Sequence, residues 1–298
     1  MSNDNTYRSG FITVIGRPNV GKSTLINGLI GEKISAVSDK PNTTRNRILG
    51  IRTLPHAQLI FLDTPGIHKP RGTLSKAMVH TAMSAVQEAD VIVMMIEVKD
   101  SFGKGDSFII ETLPKPAILA VNKIDTIKNS ELLPILQSSN DFKGKFTEIV
   151  PISAVNADGT QELLDTIIKY LPEGPKYFPD GMITDQPERF IAAEFIREKI
   201  FTLTQQEIPY QTAVVIEEFK EQPERNFINI SAVIYVERQN HKGIIIGKKG
   251  ALLKEVGSLA RADIEKILGA KVFLELWVKV KDKWSHKENI IRDFGYGD

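Results

Sequence analysis

The sequence predicts an α/β domain with a mainly parallel sheet and helices on both faces, followed by a small α+β unit. Three observations lead there. From Phe11 to about Leu171 short apolar runs alternate with helix-patterned segments, a proline- and glycine-rich stretch follows, and beyond it the order of elements changes. In the first part "FITVIG", "QLIFLD", "ADVIVMMIEV", "PAILAVNK" and "EIVPIS" read as strands, whereas "TLSKAMVHTAMSAVQEA" and "TQELLDTIIKYL" carry helical spacing. Strands that are apolar almost throughout are buried on both faces, which is the condition of a parallel sheet covered by helices.

The stretch "LPEGPKYFPDGMITDQPE" (171–188) holds four prolines and two glycines without periodicity and reads as a linker. The expected division is therefore a first domain at 1–172, a linker at 173–187 and a second domain at 188–298. The second domain runs through a helix ("ERFIAAEFIREKIFTLT"), two strands ("TAVVIEEF", "FINISAVIYVE"), a glycine loop preceded by the short apolar segment "GIII", a long helix and a last strand, "KVFLELWVKVK". Trp277, alternating within that last strand, is expected in the core rather than as a stacking platform.

The chain has 298 residues, 42% of them hydrophobic and 25% charged, the composition of an ordinary globular protein with room for two cores. No apolar run approaches the roughly 18 residues of a membrane-spanning helix. The start, "MSNDNTYRSG", lacks the basic-then-apolar order of a secretion signal, and the absence of cysteine excludes disulfides and thiolate metal sites. A cytosolic protein is expected. The net charge of +1 conceals an excess of four positive charges in residues 240–298, so a polyanionic partner should meet the C-terminal end.

"GRPNVGKS" (Gly16 to Ser23) satisfies G-x-x-x-x-G-K-[ST] between a strand and a helix. In that setting backbone amides of Gly16, Asn19, Val20 and Gly21 cradle phosphates, Lys22 reaches the β- and γ-phosphates, Ser23 binds Mg²⁺ and Thr24 continues the loop. "DTPG" follows a strand, so that Asp63 can hold the Mg²⁺ shell and the Gly66 amide can sense a γ-phosphate. "NKID" (Asn122, Lys123, Asp125) ends another strand, and a carboxylate there accepts two N–H bonds that guanine offers and adenine does not. Ser153 and Ala154 end the next strand, with a backbone N–H for the guanine carbonyl. Each piece alone is a plausible cap or turn. Four in order, each at the C-terminal end of a strand, predict a GTP site.

These motifs resemble those of the translation-factor-related P-loop GTPases, and "KPNTTRNRILG" (40–50) resembles the switch segment of the Era-type assembly GTPases. The resemblance implies that Thr44, with Thr43 as the alternative, closes on Mg²⁺ and the γ-phosphate. Where Ras-like enzymes carry a water-orienting glutamine, this chain has Ile67, which can neither donate nor accept a hydrogen bond. By the same resemblance Asn19 accompanies a bound K⁺, and the catalytic group is Lys22, Asn19, Thr44 and Gly66.

The second glycine loop, "GIIIGKKG", fails the first pattern, because three residues separate Gly243 from Gly247 and Lys249 follows Lys248. It fits the G-x-x-G loop of a KH domain, in which Gly247, Lys248, Lys249 and Gly250 would clamp the backbone of a few single-stranded nucleotides. A P-loop GTPase domain followed by a type II KH domain, with "FLELWVKV" (273–280) as the last strand, resembles the Era family along nearly the whole chain. That resemblance implies binding to the 3′ region of 16S ribosomal RNA, assistance in small (30S) subunit assembly, peripheral association with the inner face of the cell membrane, and no DNA partner.

Overall fold

A computed structural model describes residues 6–100 and 102–297. Residues 1–5, half of the segment in which no secretion signal is read, lie outside the described residues. Contacts divide the chain into two units.

The first unit contains a six-stranded sheet in the order β2-β3-β1-β4-β5-β6, formed by β1 (Arg8–Ile15), β2 (Ile48–Leu54), β3 (Ala57–Asp63), β4 (Val91–Glu97), β5 (Ala117–Asn122) and β6 (Phe146–Pro151). Every neighbouring pair is parallel except β2 with β3. Helices α1 (Lys22–Ile30), α2 (Thr73–Glu88), α3 (Lys104–Thr112), α4 (Asn129–Ser138) and α5 (Thr160–Tyr170) are interspersed with these strands. Strand β3 is buried at every position and β5 likewise, which explains why both read as unbroken apolar runs. The sequence reading missed β2. It is an antiparallel edge strand entered from a polar loop, its last three residues are only half-buried, and its register is set by the turn to β3 rather than by an apolar run of its own.

The proline-rich stretch is tied along the first unit as a strap. The Ser9 hydroxyl donates to the Pro175 carbonyl at 2.6 Å, the Gln58 side chain accepts from the Tyr177 and Phe178 amides, and the Ile51 amide donates to the Ile183 carbonyl at 2.8 Å. Prolines lack an N–H but keep their carbonyls, so such a segment can pack through acceptors without joining the sheet. Unit membership changes between Asp185 and Gln186.

The second unit is built on the sheet β7-β8-β9, formed by β7 (Thr212–Gln222), β8 (Phe227–Val236) and β9 (Lys271–Val280), with β8 antiparallel to β7 and parallel to β9. Helices α6 (Glu188–Leu203), α7 (Gln239–Ile246), α8 (Ala251–Leu268) and α9 (Glu288–Asp293) complete it. The element order is αββααβ closed by α9, which is the expected small α+β unit with α7 added before the glycine loop and α9 after the last strand. Its core joins Phe195, Ile196 and Ile200 of α6 to Val256, Ala260 and Ile264 of α8 across Ile230, Ala232 and Ile234 of β8. Two short segments, Ser35–Thr43 and Arg71–Ala77, belong to this unit by contact although they lie early in the sequence. In the first, Lys40 Nζ donates to the carbonyls of Phe201 and Thr204, which the end of α6 leaves without helical partners.

The short apolar segment "GIII" is the C-terminal half of α7. One expectation fails here. Trp277 is 54% exposed and lies outside the core, because Val272, Leu274, Leu276 and Val278 take the inward face of β9. Alternation tells that a strand has two faces, but with apolar residues on both it does not tell which is buried.

Candidate functional site: a nucleotide cradle and an RNA groove

The expected nucleotide groups converge at the C-terminal ends of β1, β3, β5 and β6, where open sheets hold ligands. Between β1 and α1 the chain turns through Asn19 and Gly21, at φ 66° and 101°, so that α1 begins at Lys22. Gly21 has no alternative: a Cβ there would stand 2.5 Å from the Asn122 amide nitrogen. That nitrogen donates to the Val20 carbonyl at 2.7 Å, and the Asn122 oxygen accepts from the Ala154 amide at 2.9 Å. Asn122 therefore uses both ends of its amide to fasten the first loop to the Ser153–Ala154 turn.

Lys22 is only 7% exposed, and its ammonium donates to the Arg17 carbonyl at 3.1 Å. Burial pushes its pKa down to about 8, against the opposing pull of Asp63. A buried cation held by carbonyls and pointed along a phosphate-binding loop gains its full charge when an anion arrives.

Beside it three oxygen groups meet. The Ser23 hydroxyl donates to Asp63 at 2.8 Å and lies 2.9 Å from the Thr44 hydroxyl. Thr43 turns the other way, its hydroxyl donating to the Lys40 carbonyl at 2.8 Å, so Thr44 is the threonine at the cluster. Two hydroxyls and one carboxylate are hard donors of the kind Mg²⁺ takes, and they leave most of an octahedron to phosphate and water. No group of three or more His, Cys, Asp or Glu with metal-binding geometry occurs among the described residues. Ser23, Thr44 and Asp63 thus fit a metal that arrives with a nucleotide better than a resident one.

The "DTPG" turn closes on the first loop: the Ile67 amide donates to the Gly16 carbonyl at 3.1 Å, and Gly66 lies so near Pro18 that a Cβ would come within 2.6 Å of its nitrogen. The Ile67 side chain is buried among Ile15, Ala82 and Val86 and faces away from solvent. His68 Nδ1 lies 2.9 Å from the Gly66 carbonyl.

At the base end, Ser153 is fully buried and its hydroxyl donates to Asp125 at 2.6 Å, while Asp125 itself is exposed. Lys123, at φ 66°, turns the chain and pairs with Glu97 at 2.7 Å. Thr24 follows Ser23 within α1 and is half-buried.

In the second unit α7 ends at Gly247 (φ 71°), Lys249 (φ 52°) and Gly250 (φ 80°) reverse the chain, and α8 starts at Ala251. Lys248 and Lys249 are both exposed. The loop opens onto a groove of about 430 Å³ lined by Leu253, Lys254, Gly257, Ser258 and Arg261 of α8 and by Leu274 and Leu276 of β9. Sequence reasoning stopped at the loop and missed these. The signal was present: positions 250, 253, 254, 257, 258 and 261 form one helical stripe, offset from the core stripe of Val256, Ala260 and Ile264.

A model for the 50S ribosome-binding GTPase family matches residues 11–123, and a KH domain model matches residues 207–285. The chain is 51% identical over 296 residues to GTPase Era of Geobacter metallireducens, covering 98% of this chain and 99% of that protein. It is 50% identical to GTPase Era of Syntrophus aciditrophicus over 98% and 96% of the two chains. Among solved structures it superposes on Era in complex with MgGDPNP and nucleotides 1506–1542 of 16S ribosomal RNA with a TM-score of 0.95, at 45% identity over 98% of this chain and all of that one. A variant of Aquifex aeolicus Era bound to GDP and AlF₄⁻ superposes with a TM-score of 0.94, again at 45% identity and the same coverage.

Proposed function

The chain belongs to the Era family of GTPases, and on that premise we propose that it binds GTP with Mg²⁺, hydrolyses it slowly, and times its engagement with the 3′ region of 16S rRNA during assembly of the 30S subunit. Residues 1–172 form the GTPase domain of this reading, 173–187 the linker and 188–298 the type II KH domain. The observation that carries it is the convergence of Ser23, Thr44 and Asp63 beside buried Lys22. Those residues would hold Mg²⁺, which when bound neutralises charge on the β- and γ-phosphates. Backbone amides from Gly16 to Thr24 bind the phosphates, Lys22 donates to the β- and γ-oxygens, and the Gly66 amide meets the γ-phosphate.

Asp125, oriented by Ser153, accepts the guanine ring N–H and exocyclic amine, and the Ala154 loop borders the base. Turnover is slow because the buried Ile67 supplies no hydrogen bond to the attacking water. Asn19 is exposed on the first loop, and its amide oxygen is a hard donor suited to K⁺, which would add positive charge there as the family resemblance implies.

On the RNA side Gly247, Lys248, Lys249 and Gly250 clamp the backbone while the groove receives bases. GTP and GDP, 16S rRNA and the 30S subunit are the partners of this reading, without DNA. Cytoplasmic placement, with peripheral association at the inner face of the membrane, rests on the family resemblance. No helix among the described residues is long and apolar enough to cross a membrane.

Phosphate release from GTP, measured with Mg²⁺ and with a chelator, tests the enzyme. Asp125→Asn tests the base site: the variant should lose GTP affinity roughly ten- to a hundredfold, as expected for one charge-assisted pair, and gain affinity for xanthosine triphosphate, whose base replaces the amine with a carbonyl. Full GTP affinity in Asp125→Asn would remove the guanine assignment.

A further inference from the structure

The outer face of the second sheet carries two large aromatic side chains that are more than half exposed. Phe273 and Trp277 of β9 are 55% and 54% exposed, and in the strand register they lie beside Asn229 and Val233 of β8. Four residues along a strand separate them by about 13 Å. At one end the same face is closed, since Tyr235 of β8 stacks on Phe294 with ring centroids 4.7 Å apart, and Trp284 is buried beside it. The C-terminal segment covers Tyr235, and Val233 beside Trp277 is buried, whereas Phe273 and Trp277 on the edge strand remain about half exposed.

Strand β9 is also an edge strand, and its opposite side chains, Leu274 and Leu276, line the RNA groove. A strand leaving that groove has only the edge of β9 to cross before it meets the two rings. Lys271 and Lys279 bracket the aromatic pair, each with a carboxylate near, Glu265 at 3.7 Å and Glu217 at 3.1 Å, and Glu275 stands between the rings. The face is therefore close to neutral, so attraction by bulk charge is not what it offers. Flat exposed rings at the end of a phosphate-binding groove are the means by which proteins hold single-stranded bases without reading their edges.

We propose that Phe273 and Trp277 form a second single-stranded RNA subsite, on which bases that continue from the Gly247–Gly250 groove stack in a sequence-tolerant manner. This rests on the RNA-binding reading above and extends the footprint beyond the clamp.

The test uses the full-length protein and two oligoribonucleotides from the 3′ end of 16S rRNA, one of about five residues that fills the groove alone and one of about twelve that overruns it. The wild-type protein should bind the longer strand more tightly. Phe273→Ala/Trp277→Ala should lower affinity for the longer strand about tenfold or more, at stacking strength per base, while binding to the shorter strand and GTP turnover stay unchanged. The longer strand alone should quench the tryptophan fluorescence, and Trp277→Phe should abolish the quenching while retaining most of the affinity, because Trp284 is buried and phenylalanine still stacks. Equal loss for both lengths would overturn the proposal by making the pair structural. Unchanged affinity for the longer strand would overturn it in favour of a protein partner on this face. If the wild-type protein fails to bind the shorter strand, the groove reading itself is wrong.

Discussion

The two glycine loops use the same residue types for opposite purposes. In the first, glycine is demanded by neighbours: a Cβ at Gly16 would stand 2.3 Å from the Met95 carbonyl oxygen, Gly21 lies against Asn122, and Lys22 is buried with its pKa lowered. In the second, Gly247 is crowded only by Leu252 of the helix that follows it, and Gly250 has open space where a side chain would go, so that only its φ of 80° favours glycine there. Lys248 and Lys249 stand in solvent. The first loop is a closed cradle built to surround a small, highly charged ligand. The second is an open clamp across which a polymer can be laid from the side. The difference teaches that glycine next to lysine reports an anion site, while the packing around the glycine reports what shape of anion fits.

Substitutions at the two loops should separate cleanly if that contrast holds. The largest effect belongs to Gly21→Ala, which combines a disfavoured backbone angle with a collision against an amide held at both ends. It should lower GTP affinity by roughly two powers of ten or more, the equivalent of about 3 kcal/mol, and leave RNA affinity intact. Equal losses for both ligands in parallel titrations would show that the loops are not independent.

Next in size, Lys248→Asp/Lys249→Asp should weaken RNA binding at every salt concentration and flatten its salt dependence by about 0.7 log units per phosphate contact removed. Filter binding checks this beside a GTP titration that should not change. RNA binding with an undiminished salt slope would remove these lysines from the phosphate contacts.

The buried lysine gives the next effect. With Lys22 at about 8 in the free protein, phosphate raises its pKa, so nucleotide binding takes up a proton. Affinity for GDP should be complete below pH 8 and fall as pH rises through 8, by about tenfold between pH 7 and 9. Calorimetry in buffers of different ionisation enthalpy would detect the proton, and a flat profile would mean that burial does not neutralise Lys22.

The smallest effect is Gly250→Ala. The space is free, so only the left-handed angle costs, about 1 kcal/mol, read as a fall of a few degrees in the melting temperature. A much larger destabilisation would mean that the second loop is as tightly enclosed as the first.

How much of this was legible beforehand depended on whether a signal was local. The strands β1, β3, β4 and β5 were visible because burial on both faces makes a run of apolar residues, and the half-exposed edge strand β6 was visible through the short run "IVPI". The nucleotide residues were visible because each follows the end of such a run. Strand β2 was not, since an antiparallel edge needs no continuous run of its own. The groove stripe of α8 was overlooked because Leu253 and Ser258 look like any helix surface until Leu274 and Leu276 face them.

By itself the sequence determined which residues are the candidates for phosphate, guanine and RNA, because phosphate cradles and loop reversals are written in glycine, lysine and carboxylate spacing. Only the tertiary structure decided between neighbours. It turned Thr44 rather than Thr43 toward Ser23, and it tied Asn122 to both Val20 and Ala154. It also put Trp277 on the outer face of β9. The reason is the same in each case: a side chain's direction is fixed by what packs behind it, and those partners lie tens of residues away along the chain, where no local pattern can record them.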